Sequence, residues 1–170
     1  MNKANKPKIN KASNQKPAYK VLAQNRRATF DYEIIERFEA GIVLMGSEVK
    51  SLRAGRSSVG ESYINKKGVS ELELVNASIP PYMQSSYFSH EDRRPRKLLM
   101  HKKEILKILN FISKKGYTAI PIKLYLKGGL VKMELGLAKG KNEVDKRQTI
   151  KERDWKREQS KVIKQYNIKH

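Results

Sequence analysis

Phe38-Glu39-Ala40-Gly41-Ile42-Val43-Leu44-Met45-Gly46-Ser47-Glu48-Val49-Lys50-Ser51-Leu52-Arg53 joins the most apolar run of this 170-residue chain to an abrupt change of local pattern. Ile42 to Met45 suits a buried strand or a buried helix turn. The bracketing Gly41 and Gly46, the short length and the branched side chains favour a core strand, with a kink or bulge at Ala40-Gly41. A short helix then follows. Ser47 is placed to cap it, Glu48 to meet the positive end of its dipole, and Gly55 to close it in a left-handed conformation. Val49 and Leu52 share its inner face, which leaves Lys50 and Arg53 facing solvent or phosphate.

Upstream, the partial alternation from Phe30 to Phe38 makes the first strand long and bent, with order beginning near Asn25. Residues 1–24 contain scarcely any large apolar side chain, cannot offset the entropy of ordering, and read as a disordered basic tail. Downstream, Gly60 to Lys66 gives a modest strand, Lys66-Lys67-Gly68 a turn, and Glu71 to Ile79 a better strand ended by Pro80-Pro81. Tyr82 to Lys97, full of charge, reads as an exposed loop. Between Leu98 and Lys115, Ile105, Ile108, Leu109 and Ile112 recur at helical spacing, and Gly116 stops the helix. Ile120, Ile122, Leu124 and Leu126 alternate on one strand face, Lys127-Gly128-Gly129 turns the chain, and Val131, Met133, Leu135 and Leu137 alternate on the return. Pro121 requires an edge, a bulge or a strand start.

Six strand segments with one clear amphipathic helix between the early and late groups exclude an alternating parallel fold. The expectation is a mainly β domain over residues 25–137, a closed antiparallel barrel of oligonucleotide-binding type with that helix and one short helix. From Ala138 the period is lost. Residues 138–170 read as a basic C-terminal tail, disordered alone and helical only on a partner, because its apolar stripe through Trp155 and Val162 or Ile163 is thin.

The net charge is +20, with contributions of +8 from residues 1–27, +6 from the middle and +6 from residues 138–170. Such an excess suits a polyanion, since each Lys or Arg that meets a phosphate releases counterions. Nucleic acid is favoured over a membrane surface, because neither terminus has a strong apolar helix face. There is no cysteine, and His90, His101 and His170 lack metal-site spacing, so no cofactor or metal is expected. No apolar stretch reaches transmembrane length and the start lacks a signal-peptide centre, which points to the cytoplasm.

The sequence has no nucleophile elbow, phosphate loop or metal motif, which argues against an enzyme; the one catalytic version that can be assembled is a nuclease using Glu39, Glu48 and His101. RNA binding asks less: basic side chains for phosphate, planar or apolar ones for an unstacked base, and an occasional carboxylate for a base amino group or ribose hydroxyl. Arg93-Arg94-Pro95-Arg96-Lys97 leading into Leu98-Leu99 offers these, though by residue type alone a solvated loop before packing leucines is equally good. Glu39 as a solvent-facing strand residue and Asn25 as a turn former are the corresponding plain readings.

Blocks in fixed order carry a resemblance: Asn25-Arg26-Arg27-Ala28, Phe38 to Ile42, Gly46 to Arg53, Pro81-Tyr82, Arg96 to Leu99, Lys115 to Thr118, Leu137 to Lys141, and Asp145-Lys146-Arg147. The chain resembles the SsrA-binding (SmpB) family, the partners of transfer-messenger RNA in bacterial ribosome rescue. The resemblance implies a non-enzymatic protein on an oligonucleotide-binding barrel. It would bind the tRNA-like domain of that RNA and enter the A site of stalled ribosomes. Its tail would lie by the small-subunit decoding centre, as a helix in the empty mRNA channel, and incomplete peptides would be tagged. Elongation factor Tu and alanyl-tRNA synthetase would be met through the shared RNA. RNA contact is implied for Asn25, Glu39 and Leu99, supported by Arg26, Arg27, Lys50, Arg53, Arg96 and Lys97. Tail roles on the ribosome are implied for Lys139, Gly140, Lys141, Asp145, Lys146, Arg147, Trp155, Val162 and Ile163. Val144 and Gln148 depart from the His and acid that several relatives carry there. The alternative, from composition alone, is a general basic protein that coats ribosomal RNA.

Overall fold

The computed structural model describes residues 19–82 and 90–169. The expectation of disorder for residues 1–18 and part of the Tyr82–Lys97 loop lie outside this range. Eleven elements follow in order: β1 Lys20–Gln24, α1 Ala28–Asp31, β2 Tyr32–Ile42, α2 Gly46–Arg53, β3 Tyr63–Lys67, β4 Glu71–Val75, β5 Arg96–Leu99, α3 Lys102–Ile112, β6 Tyr117–Lys127, β7 Leu130–Gly140 and α4 Glu143–Lys169. The strands form one antiparallel sheet in the order β1-β6-β7-β2-β5-β4-β3.

The mainly antiparallel β architecture is as expected, but the sheet is open. Its ends are β1 and β3, and no ladder joins them. The free edge of β6, which would accept a closing strand, is taken by β1 (Lys20 opposite Leu126, Gln24 opposite Lys123). This also corrects the N-terminal boundary. Lys20–Gln24 are ordered because Leu22 and Ala23 are buried, a small apolar contribution that a search for large side chains passes over.

The apolar run Ile42 to Met45 divides differently from expectation. Ile42 ends β2 and is buried, whereas Val43 and Met45, in the connection to α2, are exposed. The bulge in β2 falls between Ile34 and Glu36, not at Ala40-Gly41. Gly41 answers a different need: a Cβ there would stand 3.2 Å from Leu99 Cβ on the neighbouring β5, so only glycine lets the two strands close without a shift. Strand β5 itself corrects the reading of Leu98 as a helix start; the helix begins at Lys102.

A long hairpin, β6–β7, turns at Gly128 and Gly129, both with positive φ. Pro121 sits at a bulge between Pro121 and Lys123, the expected place for a residue that cannot donate to a ladder. That bulge reverses the faces, so Ile120 does not share a face with Leu124. Leu124 packs into the main core with Leu52, Leu72, Leu74, Leu98, Ile108, Met133 and Leu135, while Ile120 joins Ala28 and Ala138 in a second cluster. Helix α3 presents Ile105 and Ile108 inward, with Leu109 and Ile112 partly buried beside them, as its spacing predicts.

The tail also departs from expectation. Lys139 and Gly140 complete β7, and residues 143–169 form one 27-residue helix. Its root is held by groups that helical periodicity does not reveal: the Lys141 backbone N–H donates to Asp31 O, Lys141 Nζ to Thr29 O, and Lys146 Nζ lies 3.3 Å from Asp31 Oδ1. Asp145 Oδ2 accepts the Asn142 N–H, closing the first turn.

Candidate nucleic-acid interface

The outward face of β2, β7 and β6 carries the polar half of each strand's alternation. It presents Arg37 and Glu39 from β2, Lys132 and Glu134 from β7, and Lys123, Tyr125 and Lys127 from β6. Glu39 is the centre of this face. Its carboxylate accepts hydrogen bonds from the Tyr125 hydroxyl and from Lys132 Nζ, with Lys127 Nζ at 3.2 Å. The Lys132 hydrogen bond, then that of Tyr125 and the charge of Lys127, hold the Glu39 carboxyl down at about 2 despite partial desolvation. Burial and the neighbouring carboxylate push the Tyr125 hydroxyl well above its ordinary range, so it stays a proton donor. One row along, Glu134 pairs with Lys123 and Arg37, both at 2.8 Å.

Beside Glu39 lies a recess of about 470 Å³ lined by Glu39, Gly41, Leu99, Met100, His101, Glu104 and Lys132. Leu99 is half exposed at its rim, an apolar side chain next to an anchored carboxylate and an ammonium. Such a set can hold an unstacked base by its edge and its face while lysines meet phosphate.

A second constellation supports the first. Glu48, on α2, is closed to solvent. Its Oε1 accepts from Arg96 Nε at 2.8 Å and Arg94 Nε at 2.9 Å, and its Oε2 accepts from Arg94 Nη2 at 2.6 Å and from the Met45 N–H at 2.7 Å. Burial pushes this carboxyl up, but the two arginines and the backbone N–H outweigh it and hold it below the ordinary range. Arg96 spends its remaining donors on the carbonyls of Ala77, Arg94 and Asp92. The network ties α2 to β5 and so fixes Lys50 and Arg53, which face outward. The reciprocal backbone contact makes Met45, not Ser47, the capping position; the Ser47 hydroxyl instead meets His90 Nδ1 at 2.8 Å.

The profile of the SmpB protein family matches residues 22–165. The chain belongs to the SmpB family. Relatives include the SsrA-binding protein of Afipia carboxidovorans, 52% identical over 146 residues that make up 85% of this chain and 92% of that protein. The SsrA-binding protein of Caulobacter vibrioides is 53% identical over 146 residues, covering 85% and 95%. A solved chain described as "tmRNA-SmpB: a journey to the center of the bacterial ribosome" is 47% identical, with a TM-score of 0.60, and covers 71% of this chain and 84% of that one.

In this SmpB-family chain the structure brings together some of the residues expected at an interface and separates others. Glu39 and Leu99 meet across Gly41 in one recess. Asn25 sits at the end of β1, its backbone N–H bonded to the bulged Ile122 O and its Oδ1 accepting the Arg27 N–H, so its side chain shapes the turn into α1 while Arg26 and Arg27 stay exposed. Lys97 is exposed and paired with Glu71 at 2.6 Å. Arg96 is corrected: with its guanidinium buried and each of its three nitrogens hydrogen-bonded within the chain, it serves the fold and does not face outward. The nuclease set also comes apart, since Glu48 is sealed in the arginine network while Glu39 and His101 line the recess. In the tail, Lys141, Asp145 and Lys146 fasten the root of α4, Arg147 is exposed near Glu143, and Trp155, Val162 and Ile163 project into solvent.

Lys123, Tyr125, Lys127 and Lys132 surround Glu39 and Glu134 on this face and were not among the residues expected from the sequence. The signal was present, because Lys132 alternates with Val131 and Met133 and, beyond the bulge at Pro121, Lys123, Tyr125 and Lys127 alternate with Leu124 and Leu126. Among the described residues no helix is long and apolar enough to cross a membrane.

Proposed function

We propose that this chain is a non-enzymatic RNA-binding protein whose sheet, of oligonucleotide-binding type, takes up the tRNA-like domain of transfer-messenger RNA and carries it to the A site of ribosomes stalled without a codon. On this reading α4 enters the empty mRNA channel past the decoding centre, and the stalled peptide is tagged. Elongation factor Tu and alanyl-tRNA synthetase are then met through the shared RNA, in the cytoplasm. The observation that carries the reading is the Glu39 site: an ionised carboxylate fixed by Tyr125, Lys127 and Lys132 beside the exposed Leu99, on the outward face of a strongly basic chain. Family membership supports it, since relatives named for SsrA binding align over most of their length.

The test is binding of the purified chain to the tRNA-like domain and to an ordinary tRNA of similar size across a range of salt. A preference of about ten-fold or more that persists at high salt is expected, because recognition beyond phosphate does not release counterions. Equal affinities falling with one common slope would replace this reading by that of a general RNA-coating protein.

A further inference from the structure

Tyr19 immediately precedes β1, at the outer edge of the face that carries Glu39. Its ring meets that of Tyr125 edge-on, with centroids 5.4 Å apart and planes at 62°. Lys123 Nζ lies over both rings, 4.9 Å from the centroid of Tyr19 and 5.5 Å from that of Tyr125. Tyr125 in turn donates its hydroxyl to Glu39. The two tyrosines differ in what they leave open. Tyr125 is buried, 6% exposed, and is occupied as a support, whereas Tyr19 is 50% exposed and belongs to neither apolar core cluster. Tyr19 lies outside residues 22–165, the part matched by the SmpB family profile.

We infer that Tyr19 is a stacking position for an unpaired nucleobase, with Lys123 beside it for the adjoining phosphate, and that it extends the Glu39 interface to the β1 edge of the sheet. This inference rests on the RNA-binding reading above. The physical argument is one of surface and support. A tyrosine ring held edge-on by a second, buried ring and covered by a cation on part of its surface is pre-positioned, so a base that stacks on the exposed remainder meets a surface already ordered. Every base has a π-face, so such a platform adds affinity without reading sequence, while the fixed carboxylate and recess at Glu39 do the selecting. Lys123 keeps its charge through its 2.8 Å pair with Glu134 and points from the same strand, β6, that contributes Tyr125 and Lys127.

The test uses the full chain and a fluorescein-labelled transcript of the tRNA-like domain, with anisotropy titrations of the wild type, Tyr19→Ala, Tyr19→Leu and Tyr19→Phe at several salt concentrations. Loss of the ring in Tyr19→Ala and Tyr19→Leu should weaken binding by about 5- to 100-fold at each salt, with Tyr19→Phe within about 2-fold of wild type. The slope of log affinity against log salt should be unchanged in all three, since stacking releases no counterions. Thermal denaturation shows whether Tyr19→Ala has disturbed β1; Tyr19→Leu, which keeps an apolar cover on Tyr125, carries the test in that case. Wild-type affinity in Tyr19→Leu would overturn the inference by showing that Tyr19 only covers Tyr125. Binding by Tyr19→Phe as weak as by Tyr19→Ala would overturn it in favour of a hydroxyl contact. Should the wild type bind an ordinary tRNA as well as the tRNA-like domain, yet lose affinity for both in Tyr19→Leu, the rescue reading falls and the stacking position stands.

Discussion

Glu48 shows how a single residue's role depends on partners its sequence neighbours do not announce. Its spacing suits the first turn of a helix, and that was legible. Arg94 and Arg96, 46 and 48 positions away, were not, because no local pattern predicts which charges a fold will bury together. Breaking one side of a buried ion pair leaves the other charge desolvated and uncompensated, which costs about 3–5 kcal/mol. Glu48→Gln should therefore lose on that order of stability in urea denaturation at neutral pH. The pH dependence has a definite sign: a carboxyl held below its ordinary 4.5 contributes stability that is present above that value and lost as pH falls through the lowered one. The gap between wild type and Glu48→Gln should thus narrow under acid. Glu39 poses the opposite question, because removing an acid from a basic face strengthens purely electrostatic binding to RNA. With its carboxylate ordering Lys132, Tyr125 and Lys127, Glu39→Ala is expected to weaken binding to the tRNA-like domain about ten-fold, the equivalent of one charge-assisted hydrogen bond. A rise in affinity would show that charge alone operates there.

At the scale of elements, strand β7 and helix α3 were legible because their apolar positions repeat without interruption, whereas β6 carries the bulge between Pro121 and Lys123. Strand β5 was not: it is four residues long, carries two basic side chains, and takes its strand character from pairing with β2 and β4. Bulges account for another share of what was missed, since a one-residue slip moves every later side chain to the other face. Gly136 of β7 lies where two bulged strands converge. A Cβ there would stand 3.0 Å from Ile122 Cδ1 and 3.1 Å from Ile34 Cγ2. Gly136→Ala should cost about 1–3 kcal/mol by overpacking, read as a lower denaturation midpoint with an unchanged slope. Helix α4 has a thin apolar stripe, and its root is held by Asp31, Thr29 and Lys141. Because β7 runs to Gly140 and Lys141 is bonded back to α1, the natural cut is after Asn142. Such a truncation should leave the sheet folded and RNA affinity mostly intact while abolishing tagging in a reconstituted stalled-ribosome assay; normal tagging by the truncated chain would refute that division of labour.

Across the whole molecule, the open sheet assigns unequal importance to the two halves of the N-terminal segment. Residues 20–24 cover the outer edge of β6, a long strand with a buried face, whereas residues 1–18 add charge. Deleting residues 1–18 should leave the thermal midpoint unchanged and reduce the salt slope of RNA binding. Deleting residues 1–24 should lower the midpoint and promote association, because it exposes an unpaired strand edge; light scattering alongside thermal denaturation checks both. The net charge and its placement were legible at a glance, and they favour a polyanionic partner. Which of these charges share one face required the register of β2, β7 and β6.

Helix α4 leaves the sheet at a root fixed by Lys141 and Lys146, and an α-helix advances by 1.5 Å and turns by about 100° per residue. Its 27 residues make a rod of about 40 Å whose angular setting is inherited from the sheet. Trp155 and Val162, two turns apart, therefore point in a direction set at Asp31. One residue inserted beyond the anchor would leave composition, charge and helicity almost untouched and swing both side chains by about 100°. The tail is thus a matter of phase as much as of charge: a pointer clocked to the sheet that carries it.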